Sequence, residues 1–110
     1  MANKQARIAS LIQKNISDII LYELRNPLMK LVTVNGCNVS NDFSVAKVYV
    51  SHLQQNKINE ALEELNRAKG AIRSSLARKM DIYKVPEIIF IRDETLDNYE
   101  RIKEILKNDK

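Results

Sequence analysis

The sequence predicts an α+β domain in which helices pack against a three-stranded mixed sheet. Three observations carry that reading. Apolar residues recur at helical spacing in 4–24, 57–67, 71–80 and 95–108. Two β-branched runs, 31–39 and 44–53, flank a short polar connection, and a third apolar run follows Pro86. The 110 residues suffice for one core and not for two, so residues 1–110 are read as a single domain.

The first helix rests on Ile8, Leu11, Ile12, Ile16, Ile19 and Ile20, which step by three and four to form one apolar stripe. Isoleucine is a poor helix former, so burial rather than propensity must hold this segment. Asn26-Pro27 ends it, because the residue before a proline is pushed out of the helical region. Strands over 31–39 and 44–53 follow, joined through Ser40-Asn41-Asp42-Phe43 as a hairpin. In the second strand Ala46, Val48 and Val50 share the expected core face, and Lys47, Tyr49 and Ser51 share the other.

Ile58, Ala61, Leu62 and Leu65 then mark one short helix, and Ile72, Leu76 and Met80 mark another. Gly70 lies between the two stripes. Glycine in a helix interior costs about 1 kcal/mol relative to alanine, so the pattern reads as a kink or break there. Residues 88–91 form an uninterrupted apolar run after Pro86-Glu87, which predicts a strand covered on both faces. The helical crossover between the second and third strands predicts parallel pairing. The last helix runs through Leu96, Tyr99, Ile102 and Leu106, with Thr95 as its N-cap. The order is α-β-β-α-α-β-α.

Composition narrows the function classes. Cys37 is the sole cysteine and His52 the sole histidine, which excludes a disulfide framework and a histidine-rich metal site. A chain with one thiol suits a reducing compartment, so a cytoplasmic location is expected. No apolar run reaches the about 20 residues of a membrane span, and none resembles the core of a signal peptide. Cys37, within a β-branched strand, reads as a small buried side chain. His52 reads as a surface residue at a strand end, and no Ser or Cys is arranged to make it a base. The pairs Glu63-Glu64 and Asp93-Glu94 fit helix or helix-start positions, and Glu60, Glu63 and Glu64 form a solvated, helix-stabilising patch. No glycine-rich phosphate loop and no metal-ligand spacing is present.

Net charge is +4, but it is unevenly spread. Within 66–84, six basic residues face only Asp81. Such a surplus fits a polyanion footprint or a solvated helix face. Around the expected kink, Arg67, Lys69 and Arg73 cluster, with Ser74 and Arg78 opposite the apolar stripe. A helix that restarts at a kink begins with N–H groups that lack intrahelical acceptors, and these favour a phosphate. Gly70 has no Cβ, so a sugar-phosphate backbone can come close. A glycine with that role lies outside helical geometry or is closely approached by another group. Arg7 and Lys14 on the first helix extend the basic surface or form a solvated face. Tyr49 either stacks on a base or packs beneath a neighbouring helix.

Three stretches are more specific. The first is Val39-Ser40-Asn41-Asp42-Phe43-Ser44-Val45-Ala46-Lys47-Val48-Tyr49-Val50-Ser51. The second is Ala68-Lys69-Gly70-Ala71-Ile72-Arg73-Ser74-Ser75-Leu76. The third is Val85-Pro86-Glu87-Ile88-Ile89-Phe90-Ile91-Arg92-Asp93. In this order they resemble bacterial ribosome-binding factor A, and the resemblance runs from about Arg7 to Ile105. Two departures stand out. Asn26-Pro27-Leu28 occupies the place of the family's usual aspartate-proline-arginine, and Tyr83-Lys84 precedes Val85-Pro86 where members often carry an arginine.

The resemblance implies a type II KH-like fold in which a helix–kink–helix, marked here by Ala68-Lys69-Gly70, replaces the usual glycine-rich loop. It implies a non-enzymatic factor that binds the maturing 30S ribosomal subunit through 16S rRNA. It further implies support of late maturation and 5′-end processing of that RNA, including in the cold. The expected RNA contacts are Arg67, Lys69, Gly70 and Arg73 at the kink, with Arg78, Lys84 and Arg7 around it. A monomer is expected, with no metal, cofactor, membrane or small-molecule substrate. The alternative is a domain of the same fold that docks a protein partner, with its basic surface incidental.

Overall fold

The computed structural model describes residues 3–81 and 84–94. Helix α1 spans Lys4–Tyr22, and Asn3 caps it by accepting from the Ala6 N–H at 2.7 Å. Ile12, Ile16, Ile19 and Ile20 are buried as the spacing predicts, and Ala9 joins them. Leu11 is 46% exposed and drops out of the stripe; Ile12, beside it in the chain, takes the buried position. The helix also ends sooner than the proline requires. Glu23 caps it, and Arg25 adopts a left-handed backbone (φ 46°) that turns the chain before Asn26. Pro27 instead opens a 3-10 turn, Pro27–Leu31, whose Leu28 N–H is accepted by Asn26 Oδ1 at 2.9 Å.

Strands β1 (Val32–Val39) and β2 (Val45–His52) pair antiparallel, and β3 (Glu87–Arg92) pairs parallel with β2. The order β1-β2-β3 makes the mixed sheet that the crossover predicts. A bulge between Val34 and Gly36 interrupts β1. It carries one unmatched residue, Asn35, so that Cys37 and Val39 return to the helix-bearing face. The Asn35 amide donates to Ser51 Oγ (3.1 Å) and Asp93 Oδ2 (2.7 Å), tying the outer faces of the three strands together.

Residues 40–44 form the hairpin loop. Phe43 takes a left-handed backbone (φ 61°), and Lys4 Nζ lies 5.8 Å from its ring centroid. Asp42 accepts from the Ser44 hydroxyl (2.7 Å), the Ser40 hydroxyl (2.9 Å) and the Ser44 N–H (3.1 Å). These bonds, led by the Ser44 hydroxyl, hold its carboxyl at about 2.

Helix α2 (Ile58–Arg67) and helix α3 (Lys69–Lys79) follow a 3-10 turn at Gln55–Lys57. α1 packs on β1 and α3, while α2 packs on β2 and β3. The core is the side chains of Ile12, Ile16, Ile19, Val48, Val50, Leu65, Ile72, Leu76 and Ile88, all essentially without solvent contact. Each contributes roughly 1.5–3 kcal/mol on burial.

Several expectations change. The break between α2 and α3 falls at Ala68 (φ −85°, ψ 1°), and Gly70 lies in the first turn of α3 with an ordinary negative φ. A Cβ built on Gly70 would meet nothing within 4 Å, so neither backbone geometry nor crowding within the chain calls for glycine there. In β3 Ile88 and Phe90 are buried, whereas Ile89 and Ile91 are half-buried, so coverage alternates instead of extending to both faces. Cys37 is half-buried, and its burial pushes the thiol up to about 11.

His52 is buried, not at the surface. It continues the alternation of Ala46, Val48 and Val50 onto the core face. Its Nδ1 accepts from the Gln54 N–H at 3.0 Å and its Nε2 meets the Leu28 carbonyl at 2.9 Å, which makes it a brace between two chain turns. The expected helix over 95–108, with its Thr95 cap, lies outside the described residues.

Candidate nucleic-acid interface

The junction of α2 and α3 is built by exclusion. Leu65 and Ile72 are buried on either side of it and Ala68 packs against the core, so that Asn66, Arg67, Gly70 and Ala71 are the residues left exposed. The Ala68 N–H bonds back to the Glu64 carbonyl (3.0 Å), and its carbonyl accepts from the Ile72 N–H (2.8 Å), so one residue serves both helices. Alanine has no side-chain acceptor, and none caps α3. The first turn of α3 thus starts without a side-chain cap, and Gly70 and Ala71 within it are exposed. Open space at Gly70 leaves room for an external group where the chain itself supplies none.

The basic candidates divide. Arg67, Lys69 and Arg73 flank the junction. Arg67 is exposed but ion-paired, its Nη1 2.6 Å from Glu64 Oε1. Lys69 is half-buried in the first turn of α3. Arg73 is exposed and donates from Nη2 to the Val85 carbonyl at 3.2 Å, so it clips α3 to the segment that leads into β3. Lys84 precedes Val85 in the chain and is exposed. Lys84 and Lys4 line one shallow recess, but Asp42 and Asp81 line it too, and its charges balance. Arg7 is exposed one turn beyond Lys4 on α1. Arg78 is exposed near the C-terminal end of α3, where its charge helps favour the ionised form of Glu23.

Two polar links were not legible in the sequence. Glu23, at the end of α1, accepts from the Ser75 hydroxyl (2.7 Å) and pairs with Lys79 (3.2 Å). These partners, the Ser75 hydroxyl first, hold its carboxyl below the usual range. Asn26 donates from Nδ2 to Glu64 Oε2 at 3.4 Å. Glu64 is thus no member of a merely solvated patch. Its i,i+3 spacing to Arg67 was a readable signal; the partner 38 positions away was not.

On the outer sheet face Lys47 is exposed and Tyr49 half-buried, the latter in a recess with Asn35, Gly36 and Ile91. No helix among the described residues is long and apolar enough to cross a membrane. Among the same residues no cluster of three His, Cys, Asp or Glu side chains is placed to hold a metal ion.

Comparison with known proteins adds context. The family model described as ribosome-binding factor A matches residues 4–106. A ribosome-binding factor A of Ureaplasma urealyticum is 38% identical over 109 residues, covering 97% of this chain and 94% of its own. A solution structure of a ribosome-binding factor A from Thermotoga maritima is 37% identical with a TM-score of 0.75, covering 86% of this chain and 92% of that one. The Thermus thermophilus factor, fitted into a cryo-electron-microscopy map of its complex with the 30S subunit, is 26% identical. Its TM-score is 0.62, with 86% of this chain and 96% of that one covered. The helix–kink–helix with its break at Ala68 and the mixed sheet make the fold of this chain KH-like.

Proposed function

The chain belongs to the ribosome-binding factor A family, and on that premise we propose that it binds the assembling 30S ribosomal subunit through 16S rRNA at the α2–α3 junction. The observation that carries the reading is the uncapped start of α3 at Ala68, open at Gly70 and flanked by Arg67, Lys69 and Arg73. An uncapped helix start and three cations together suit a phosphodiester backbone. Arg78, Arg7 and Lys84 are further candidate contacts, although Asp42 and Asp81 balance the charge of the recess that holds Lys84. KH modules clamp the nucleic-acid backbone in this manner, and the 30S complex of the Thermus thermophilus relative supports a subunit as the target. The role that follows is late subunit maturation, including 5′-end processing of 16S rRNA and growth in the cold, carried out without catalysis.

The test is co-sedimentation with purified 30S subunits across a salt series. Backbone contact predicts binding that weakens steeply as salt rises. Reversing Arg67, Lys69 and Arg73 to glutamate together predicts a large loss, and Lys69→Glu alone predicts a partial one without disturbing the Arg73–Val85 clip. Unchanged binding after reversal would instead assign the domain to docking a protein, a reading that the exposed Leu21 and Tyr22 at the end of α1 support. In cells, depletion is expected to leave 16S rRNA precursors unprocessed at the 5′ end, most sharply in the cold.

A further inference from the structure

Glu64 holds two partners at once. Its Oε1 lies 2.6 Å from Arg67 Nη1, and its Oε2 accepts from Asn26 Nδ2 at 3.4 Å. Asn26 is itself fixed, because its Oδ1 caps the Pro27–Leu31 turn through the Leu28 N–H at 2.9 Å. The carboxylate is therefore tethered on the side away from Arg67. Its side chain is 34% exposed, whereas that of Arg67 is 72% exposed.

An ion pair this open adds little to the stability of a fold. Its consequence is local charge. Arg67 is the last residue of α2, immediately before Ala68, and of the junction's three cations it is the one that a carboxylate already holds. A phosphate that approaches Arg67 meets the carboxylate as well, and must either displace it or bind against its repulsion.

We infer that Glu64 is a positioning residue that tempers RNA binding by sequestering Arg67, with Asn26 holding the carboxylate in place. The inference rests on the proposed rRNA interface and adds a brake to it.

The experiment measures binding of the full chain to purified 30S subunits over a salt series. The variants are Glu64→Gln, Glu63→Gln, Arg67→Gln and the pair Arg67→Gln with Glu64→Gln. Glutamine keeps the acceptor for Asn26 and nearly the same volume, and melting curves confirm an unchanged fold. Glu63 is exposed on the same helix and controls for a general change of one charge.

Glu64→Gln is expected to tighten binding roughly three- to five-fold beyond Glu63→Gln at low salt. The log–log salt slope should steepen by up to about 0.7–0.9 as Arg67 gains a phosphate contact. The double variant is expected to bind like Arg67→Gln alone. A Glu64→Gln protein that binds like Glu63→Gln, or a gain that survives loss of Arg67, would overturn the brake and leave the interface standing. Wild-type protein that fails to bind subunits, or binds without regard to salt, would overturn the interface and the brake together.

Discussion

Ser75, buried on α3, donates its hydroxyl to the carboxylate of Glu23 at the end of α1, 2.7 Å away. A carboxylate at a helix C-terminus opposes the helix dipole. Here the Ser75 hydroxyl and the Lys79 ammonium more than offset that, because the carboxyl is held below its ordinary value. A carboxyl lowered in the folded state contributes stability at neutral pH that is lost as pH falls through the carboxylate range. Glu23→Gln should lower Tm at neutral pH, and its gap to wild type should narrow in acid. A gap that stays constant from neutral pH to acid would show that the charge does not link α1 to α3.

Asp42 makes a second, separable acid-sensitive contribution. Its carboxyl, ordinarily at 3.8, stands at about 2 in the serine-lined loop. Its stabilisation is complete above 3.8 and disappears as pH drops toward about 2. Asp42→Asn should therefore lower Tm at neutral pH and converge with wild type across that window. Scans of both proteins at several pH values read this out, and a difference that widens in acid would be the wrong sign.

Gly70 separates folding from binding. Nothing lies within 4 Å of a Cβ placed there, and its backbone is helical. Gly70→Ala should raise stability by up to about 1 kcal/mol, less so near a helix end. The same methyl should weaken 30S binding, because the space it fills is the approach to the start of α3. Paired melting and co-sedimentation give the result; a stabilised variant with unaltered binding would remove Gly70 from the interface.

His52 should behave as a brace and not as a catalytic base. Its ring joins the Leu28 carbonyl to the Gln54 N–H from a buried position. His52→Ala strands both groups and opens a cavity, at a cost of about 2–4 kcal/mol. Denaturant unfolding measures that loss, while subunit binding by the folded protein should be retained.

The parts of the fold that follow a period were readable. The isoleucines of α1, the alternation of β2 and the stripes of α2 and α3 each report burial through spacing. The bulge at Asn35 was not, since one extra residue leaves no mark in a β-branched run. The polarity of His52 points to the surface, whereas its place in the alternation of β2 points to the core, and the alternation prevails. The basic character of the junction was legible from Arg67, Lys69 and Arg73. That Glu64 claims Arg67 and that Arg73 clips Val85 depends on which distant segments the fold brings near, which no local pattern encodes.

The sheet order imposes a sequence of events on folding. One edge of β2 is closed by β1 through a short hairpin loop, a contact between near neighbours in the chain. The other edge is closed by β3, whose Glu87 pairs with Val45 across roughly 40 intervening residues, and contacts so distant are slow to form. The central strand of the finished protein is therefore an edge strand while the chain is being made. Until residue 92 is available, β2 offers a line of backbone donors and acceptors flanked by Val45, Val48 and Val50, the kind of edge through which chains aggregate. Helices α2 and α3, synthesised in that interval, carry the apolar surface that can shield the sheet face but not its edge. Truncations that end before β3 should thus be prone to aggregate, even though the hairpin and all three described helices are present in them.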